Sequence, residues 1–504
     1  MRVAIIGGGI TGLAAAHELV RQGRAEGPGA SVELFEAAGR LGGKVRTVRL
    51  DEAGPAFEGA MVEAGPDSLY TFKPWALELA RMLGLGDQVV TPDPARRKTL
   101  VMRGGRLVEL PDGLFALMPT RVGPFLRSPI VSWAGKVRMG LDVVIPPRPG
   151  DSDESLGAFV RRRLGAEAVR YLAEPLLAGI HAGDPWELSL LATYPSLRQD
   201  ELRYGGLVRA MLARRDGRHP GRGTPAAAGR GTSPNGAGVS SPFATFRGGL
   251  SQLVQALEAY LRPRVLLHTG AAVTGLEPPG SAGGWRVLLA GGRASGPFDA
   301  VVVTVPPPAA ARLVRPWDPG MAAGLDQFVF ASTAVAALVY PAGAVEEGSA
   351  VRRTSGVLVP SVEARRMGLH LTACTWASSK WPHTSPRGLV VIRCFVGRHG
   401  DDAALELPDD RLLEALQEDL AKIAGIEQPP LWRQLFRWPR AMPQYRVGHL
   451  GLVEQVQRQV SRWPGLFVTG AAWRGMGISD CVRQGQEAAQ RCLARASHAV
   501  RKGA

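Results

Sequence analysis

Short, wholly apolar runs alternate with helix-period patterns at the start of the chain. Val3-Ala4-Ile5-Ile6 is apolar without alternation, as a parallel strand covered on both faces requires. It breaks into Gly7-Gly8-Gly9-Ile10-Thr11-Gly12, after which Leu13, Ala16, Leu19 and Val20 recur at helical spacing. A polar turn over 24–31 leads to a second strand, Val32-Glu33-Leu34-Phe35, so the opening reads as a β-α-β unit. Further on, 75–84 predicts a helix, 99–110 a hairpin through Gly104-Gly105, and 111–204 a basic, helix-rich region. Residues 249–262 predict an amphipathic helix, followed by strands over 265–268, 285–289 and 300–305, the last stopped by Pro306-Pro307-Pro308. A second sheet is expected from 331–340, 356–359, 369–376 and 389–396, then helices over 409–424 and 449–461. The chain closes with strand 466–469, a Gly-rich turn and a helix over 479–497. One stretch breaks the pattern. Residues 214–242 are rich in Gly, Pro, Ala, Ser and Arg, bury too little to offset their ordering entropy, and are expected to form a disordered insertion.

Composition narrows the class. With 504 residues, 45% apolar and 21% charged, the chain has enough apolar surface for two or three domains, which excludes a wholly disordered chain or a collagen-like one. A net charge of +15 favours anionic partners, although no aromatic–basic recognition pattern points to nucleic acid. Cys374, Cys394, Cys481 and Cys492 form neither a CxxC pair nor a metal spacing, and are expected as free thiols of a reducing compartment. Met1-Arg2 runs straight into a strand, and 328–340 is too short to span a bilayer. The expectation is a cytoplasmic protein, at most peripherally associated with membrane.

The candidate chemistry lies at the two ends of the chain. Gly7-x-Gly9-x-x-Gly12 follows a buried strand and opens a helix, where a dinucleotide's diphosphate would meet free amides and a positive dipole end. Glu36 ends the second strand, placed for a ribose diol, and its charge disfavours a 2′-phosphate; FAD or NAD is therefore expected over NADP. Arg40-Leu41-Gly42-Gly43-Lys44-x-x-Thr47 follows directly and resembles the Arg-x-Gly-Gly motif of the amine oxidase-like flavoproteins, which selects FAD. In 469–481 a strand ends in glycines and a helix starts near Ser479, so its first amides can face the pyrimidine edge of an isoalloxazine. Two nucleotide-site elements more than 400 residues apart imply a discontinuous domain with the substrate domain inserted.

Four further segments carry a closer resemblance: Val62-Glu63-Ala64-Gly65-Pro66-Asp67-Ser68, the stretch from Cys374 to His383, Met442-Pro443-Gln444-Tyr445-x-Val447-Gly448-His449, and Gly477-Ile478-x-Asp480-Cys481. They are similar to the protoporphyrinogen oxidase family, most of all to its Gram-positive-type branch of oxygen-dependent coproporphyrinogen III oxidases. The resemblance implies an α/β fold: a discontinuous Rossmann-like FAD-binding domain over 1–85, 245–315 and 440–504, a substrate and helical region over 86–213, and an α+β substrate-binding sheet domain over 316–439. For FAD it implies contacts from Gly7, Gly8, Gly9, Ile10, Thr11, Gly12, Glu36, Ala37, Arg40, Gly43 and Lys44. Gly65, Pro66, Asp67 and Ser68 would lie near the flavin, Val273 beside the adenine, and Ala471, Met476, Gly477 and Ile478 along the isoalloxazine. The implied reaction passes electrons from coproporphyrinogen III to O2, giving H2O2, in haem biosynthesis, with ferrochelatase as a transient partner; no metal and no dedicated catalytic residue are implied. Arg96, Arg97, Lys98 and Lys380 are candidate propionate contacts or plain surface charges. His181 stands where related sequences often carry tyrosine, and is either a base or a packing residue. Three other readings stay open: oxidation of protoporphyrinogen IX, another flavoprotein of the superfamily such as a carotenoid desaturase, or a porphyrin carrier without catalysis.

Overall fold

The computed structural model describes residues 1–23, 30–111, 114–115, 118–119, 122–215, 241–280, 283–386 and 388–503. Most of the 214–242 stretch, and of the turn over 24–31, therefore lies outside the described residues.

The apolar opening run becomes the strand Arg2–Ile6 at the centre of a five-stranded parallel sheet. Its neighbours are Ser31–Phe35 on one side and Ala300–Val303 on the other; Leu266–His268 and Leu466–Val468 form the edges. Strands from the beginning, middle and end of the chain thus share one sheet, which is discontinuous in sequence. Both faces are covered, as parallel pairing demands. Val3 and Ile5 meet Leu13, Ala16 and Leu19 of helix Ile10–Gly23, Leu253 and Leu257 of helix Ser251–Leu261, and Val482 and Ala489 of the long helix Ile478–Gly503. Ala4 and Ile6 face Ala310, Leu325, Val456 and Trp473 on the other side.

A seven-stranded sheet forms the second layer system. Its order is Trp432–Gln444, Val329–Pro341, Leu389–Val396, Leu371–Trp376, Gly356–Leu358, Thr99–Arg103 and Arg106–Glu109. The hairpin expected at 99–110 is present as Thr99–Arg103 and Arg106–Glu109 and forms one edge of this sheet. Trp432–Gln444 forms the other edge and was not legible as a strand, because Pro439, Pro443 and three arginines break its apolar alternation. An edge strand tolerates them. Nor does the proline run after 303 merely stop a strand: Pro307 opens the helix Pro307–Val314, where a missing N–H costs nothing.

The basic region at 122–215 is helical, and several of its charges are internal. Arg163 and Asp142 are fully buried at 2.5 Å, while Glu201, also buried, receives Arg162 at 2.6 Å and Arg198. Among the described residues no helix is long and apolar enough to cross a membrane.

Candidate functional site

The glycine turn between Arg2–Ile6 and Ile10–Gly23 is built for close approach. Gly7 has φ +108°, and a Cβ at Gly12 would lie 2.0 Å from the Gly7 carbonyl oxygen, so neither position admits a side chain. Gly9 is different: a Cβ there would meet nothing within 4 Å, and it is the one half-buried residue of 7–12. The open face of the turn is therefore at Gly9, beside the free first-turn amides of the helix. Gly42 N–H donates to the Gly8 carbonyl at 2.8 Å, and a Cβ on Gly43 would stand 3.2 Å from Gly9 Cα. The two glycine loops thus lie back to back.

Glu36 reaches back from the second strand and accepts from Gly8 N–H at 2.7 Å and Ala38 N–H at 2.8 Å. Beside it, Ala271 N–H donates to the Glu36 carbonyl, which brings Val273, two residues on, to the end of this strand together with exposed Ala37. Arg40 turns onto its own loop, donating to the carbonyls of Leu41, Gly43 and Val45, because a loop with Gly42 and Gly43 at positive φ leaves those oxygens without amide partners. Lys44 crosses to the carbonyl of Ala441, 397 residues away. Among the described residues no carboxylate pairs with its ammonium, and burial lowers its pKa.

Lys44 leads to the 65–68 segment, since a Cβ on Gly65 would strike the Lys44 carbonyl oxygen at 2.2 Å. The Gly65 carbonyl accepts from Arg393, which is 1% exposed. Asp67 lies between two cations, Lys380 at 2.9 Å and Arg393 at 3.2 Å, with Ser68 Oγ donating at 2.9 Å. Burial alone would raise the Asp67 pKa, but Lys380 and Arg393 outweigh it and hold the carboxyl well below the usual carboxylate range. Lys380 is accordingly an internal ion-pair partner with its stem beside the Phe243 and Trp381 rings, not a free surface charge. The other basic candidates are spread out: Arg96 pairs with Asp93 at 3.7 Å and Lys98 with Glu109 at 2.6 Å. Behind them, Glu63 accepts from Thr47 Oγ and from Leu250 N–H while Thr47 Oγ accepts from Ser251 N–H, so this pair caps the helix Ser251–Leu261. Desolvation raises the Glu63 pKa to about 7.

At the other end of the chain, the turn 470–477 leads into the last helix at Ile478. Tyr445, absent from the sequence-based site, holds this turn. Its hydroxyl donates to the Ala471 carbonyl at 2.6 Å and accepts from Gly475 N–H at 2.9 Å. The ring is 3% exposed and stacks on His449 at 4.2 Å, whose Nε2 lies 3.2 Å from the Trp473 carbonyl. Gln484 fixes the far side, donating to Gly475 O and accepting from Arg474 N–H. The last helix meets the first closely: a Cβ on Gly485 would lie 2.3 Å from the Thr11 carbonyl oxygen. Gly477 accepts from Cys481 N–H within the first turn that Ile478 opens. Met476 reaches outward to His181, with Sδ and Nδ1 3.0 Å apart. Next to it, Lys73 pairs with Asp480 at 2.6 Å, and Tyr70, Phe72 and Phe243 form an exposed aromatic cluster.

Packing thus links the Gly9 turn to the Gly42-Gly43 loop, Lys44 to the 65–68 segment, and the first helix to the last. An open glycine amide face, a half-buried lysine ammonium and helix-start amides at both ends suit a dinucleotide with an electron-rich ring. The fold suits a flavin-binding α/β oxidoreductase, and comparison with known proteins shows that class. The chain belongs to the family of flavin containing amine oxidoreductases, which matches residues 10–493, and FAD is its cofactor.

It is 34% identical to the coproporphyrinogen III oxidase of Bacillus subtilis (strain 168), over 97% of both chains. To the coproporphyrinogen III oxidase of Propionibacterium freudenreichii it is 36% identical, over 97% of this chain and 90% of the other. The chloroplastic protoporphyrinogen oxidase 1 of Arabidopsis thaliana is 30% identical, over 96% of this chain and 86% of its own. Among solved structures, a protein of Exiguobacterium sp. 255-15, itself assigned provisionally as a protoporphyrinogen oxidase, superposes with TM-score 0.80 at 29% identity, covering 97% of this chain and 98% of the other. Reduced UDP-galactopyranose mutase shares the fold, with TM-score 0.68 at 16% identity over 98% of this chain and 94% of its own.

Proposed function

We propose that this protein oxidises coproporphyrinogen III to coproporphyrin III in haem biosynthesis, passing the electrons through FAD to O2. The observation that carries the reading is the breadth of the similarity: relatives named for this activity match 97% of the chain. The chemistry of the cleft supports it. Tyr70, Phe72 and Phe243 offer an apolar wall to a flat macrocycle, and the partly exposed Lys73 stands beside it for a carboxylate.

In this reading the amides of Gly7 to Gly12 and the Lys44 ammonium hold the diphosphate, while Glu36 and Ala37 serve the ribose and Val273 the adenine. Arg40 and Gly43 shape the second loop. Gly65, Pro66, Asp67 and Ser68, with Ala471, Met476, Gly477 and Ile478, border the isoalloxazine. The flavin supplies hydride acceptance. The chain's own residues hold the macrocycle against it, keep water out of the apolar slot, and offer backbone donors from the 471–478 turn to developing negative charge. Porphyrin release to a ferrochelatase and a cytoplasmic location follow from the same reading. So does the division into FAD-binding segments (1–85, 245–315, 440–504) and inserted substrate regions.

The test is an aerobic assay of the purified, FAD-loaded protein with coproporphyrinogen III and protoporphyrinogen IX side by side. Porphyrin fluorescence and H2O2 are followed together. Faster turnover of the tetracarboxylate supports the proposal. Preference for the dicarboxylate reassigns the substrate, and turnover of neither removes the activity.

A further inference from the structure

We infer that His181 is the proton acceptor of this oxidation, with Nε2 taking a proton from a pyrrole nitrogen of the substrate. The inference rests on the porphyrinogen reading above. Geometry carries it. His181 ends the helix Glu174–His181, directly before Ala182 in the left-handed conformation (φ 46°), and this end projects the imidazole towards the 470–477 turn. There Nδ1 lies 3.0 Å from Met476 Sδ. A thioether sulfur can only accept, so Nδ1 carries the hydrogen and Nε2 the lone pair. Nε2 has no hydrogen-bond partner among the described residues, and the half-buried ring leaves this nitrogen accessible. The tautomer that Met476 selects is therefore the one that presents a base.

The surroundings keep that base neutral. Desolvation, then the positive charge of Lys73, lowers the His181 pKa to about 4. The groups packed around it are the Tyr194 ring at 6.2 Å, edge-on, with its own pKa raised to about 12 by burial and then by Tyr70, and the Lys73–Asp480 pair. At neutral pH nothing among them competes for the Nε2 lone pair.

A weak base suffices. In each two-electron turn a C–H bond of a methylene bridge breaks and its electron pair leaves with the hydrogen, as hydride, to the flavin. The carbon skeleton left behind is a cation conjugated with the pyrrole rings, which makes their N–H groups strongly acidic. As the hydride departs one N–H bond breaks, its pair stays on nitrogen and neutralises the developing cation, and the proton bonds to Nε2, so the base acts within the step that reduces the flavin. The low basicity of His181 returns that proton to water before the next turn. Net loss is one hydride and one proton, two electrons in all; over three turns one nitrogen regains a proton as the fourth methylene bridge loses one, so the porphyrin keeps two N–H groups and four methine carbons.

Two measurements test this. In the FAD-loaded protein with nitrogen-15 histidine, His181 should be neutral at pH 7 with the hydrogen on Nδ1, and M476L should weaken that tautomer preference. A hydrogen on Nε2 would overturn the inference without any assay of activity. In anaerobic rapid mixing with coproporphyrinogen III, H181A should reduce its flavin about 100-fold more slowly, within the range general bases contribute. Added imidazole should restore the rate in proportion to its basic form, while coproporphyrin III affinity changes less than about twofold. H181Q, nearer in size and polarity, should show the same loss should the alanine variant fail to load FAD. Unchanged flavin reduction in either variant refutes the role of His181. A wild-type flavin that no porphyrinogen reduces refutes instead the substrate reading, and the tautomer result stands apart from it.

Discussion

Tyr445→Phe removes one oxygen atom and tests whether the 471–475 turn is preformed for the flavin. The hydroxyl ties both ends of that turn, donating to Ala471 O at 2.6 Å and accepting from Gly475 N–H at 2.9 Å. Phenylalanine keeps the stacking on His449 but leaves a carbonyl and an amide without their partner. Both residues are half-buried, so water compensates in part, and each lost bond costs about 1–1.5 kcal/mol. If the loosened turn must be reordered by the ligand, the resulting ~2–3 kcal/mol appears as weaker binding, about 30- to 100-fold at ~1.4 kcal/mol per decade. Titration of the FAD-free protein with FAD, read by quenching of flavin fluorescence, measures this directly. The flavin that is bound should also show a shifted reduction potential, because the turn's donors would no longer be aligned. FAD affinity within twofold of wild type, together with an unchanged potential, would refute the reasoning.

Other substitutions separate folding from binding. Gly9→Ala points its methyl into open space and should leave the FAD-free protein's melting temperature unchanged while weakening FAD binding at least tenfold; Gly12→Ala, 2.0 Å from the Gly7 carbonyl oxygen, should impair folding itself, as circular dichroism will report. Asp67→Asn strands Lys380 and Arg393 and should cost about 3 kcal/mol in denaturant unfolding, part of which Asp67→Asn with Lys380→Met recovers; additive losses would mean that the three do not form one unit. Glu63 has a folded pKa raised from 4.5 to about 7 by burial, so its stabilisation is complete below pH 4.5 and lost as pH rises through 7, about 3 kcal/mol in all. Glu63→Gln lacks that loss, and parallel pH–stability curves for the two proteins would contradict the assignment.

How much of this was legible in the sequence depends on the range of the interaction. The Gly7–Gly12 turn, Glu36 and the flanking strands were readable because backbone sterics and a two-face burial pattern are local properties. The paired loops were readable for the same reason, although Arg40 bracing its own carbonyls follows from positive φ at Gly42 and Gly43, which no residue spacing announces. Asp67 and Lys380 were both singled out, but their pairing spans 313 residues and is created by the packing of the second sheet against the 65–68 segment. Tyr445 stood inside a quoted motif, yet its task is set by an edge strand whose prolines and arginines hid it. The contact between Met476 and His181 likewise exists only once the helical region folds over the C-terminal turn.

The most direct test of the proposed function is an anaerobic titration of the FAD-loaded protein with coproporphyrinogen III, following the flavin absorbance and the porphyrin Soret band. Six electrons leave each porphyrinogen and two reduce each flavin, so bleaching should be complete near one third of an equivalent, and admitting O2 should restore the flavin with formation of H2O2. A flavin that stays oxidised in the presence of excess coproporphyrinogen III would contradict the proposed activity.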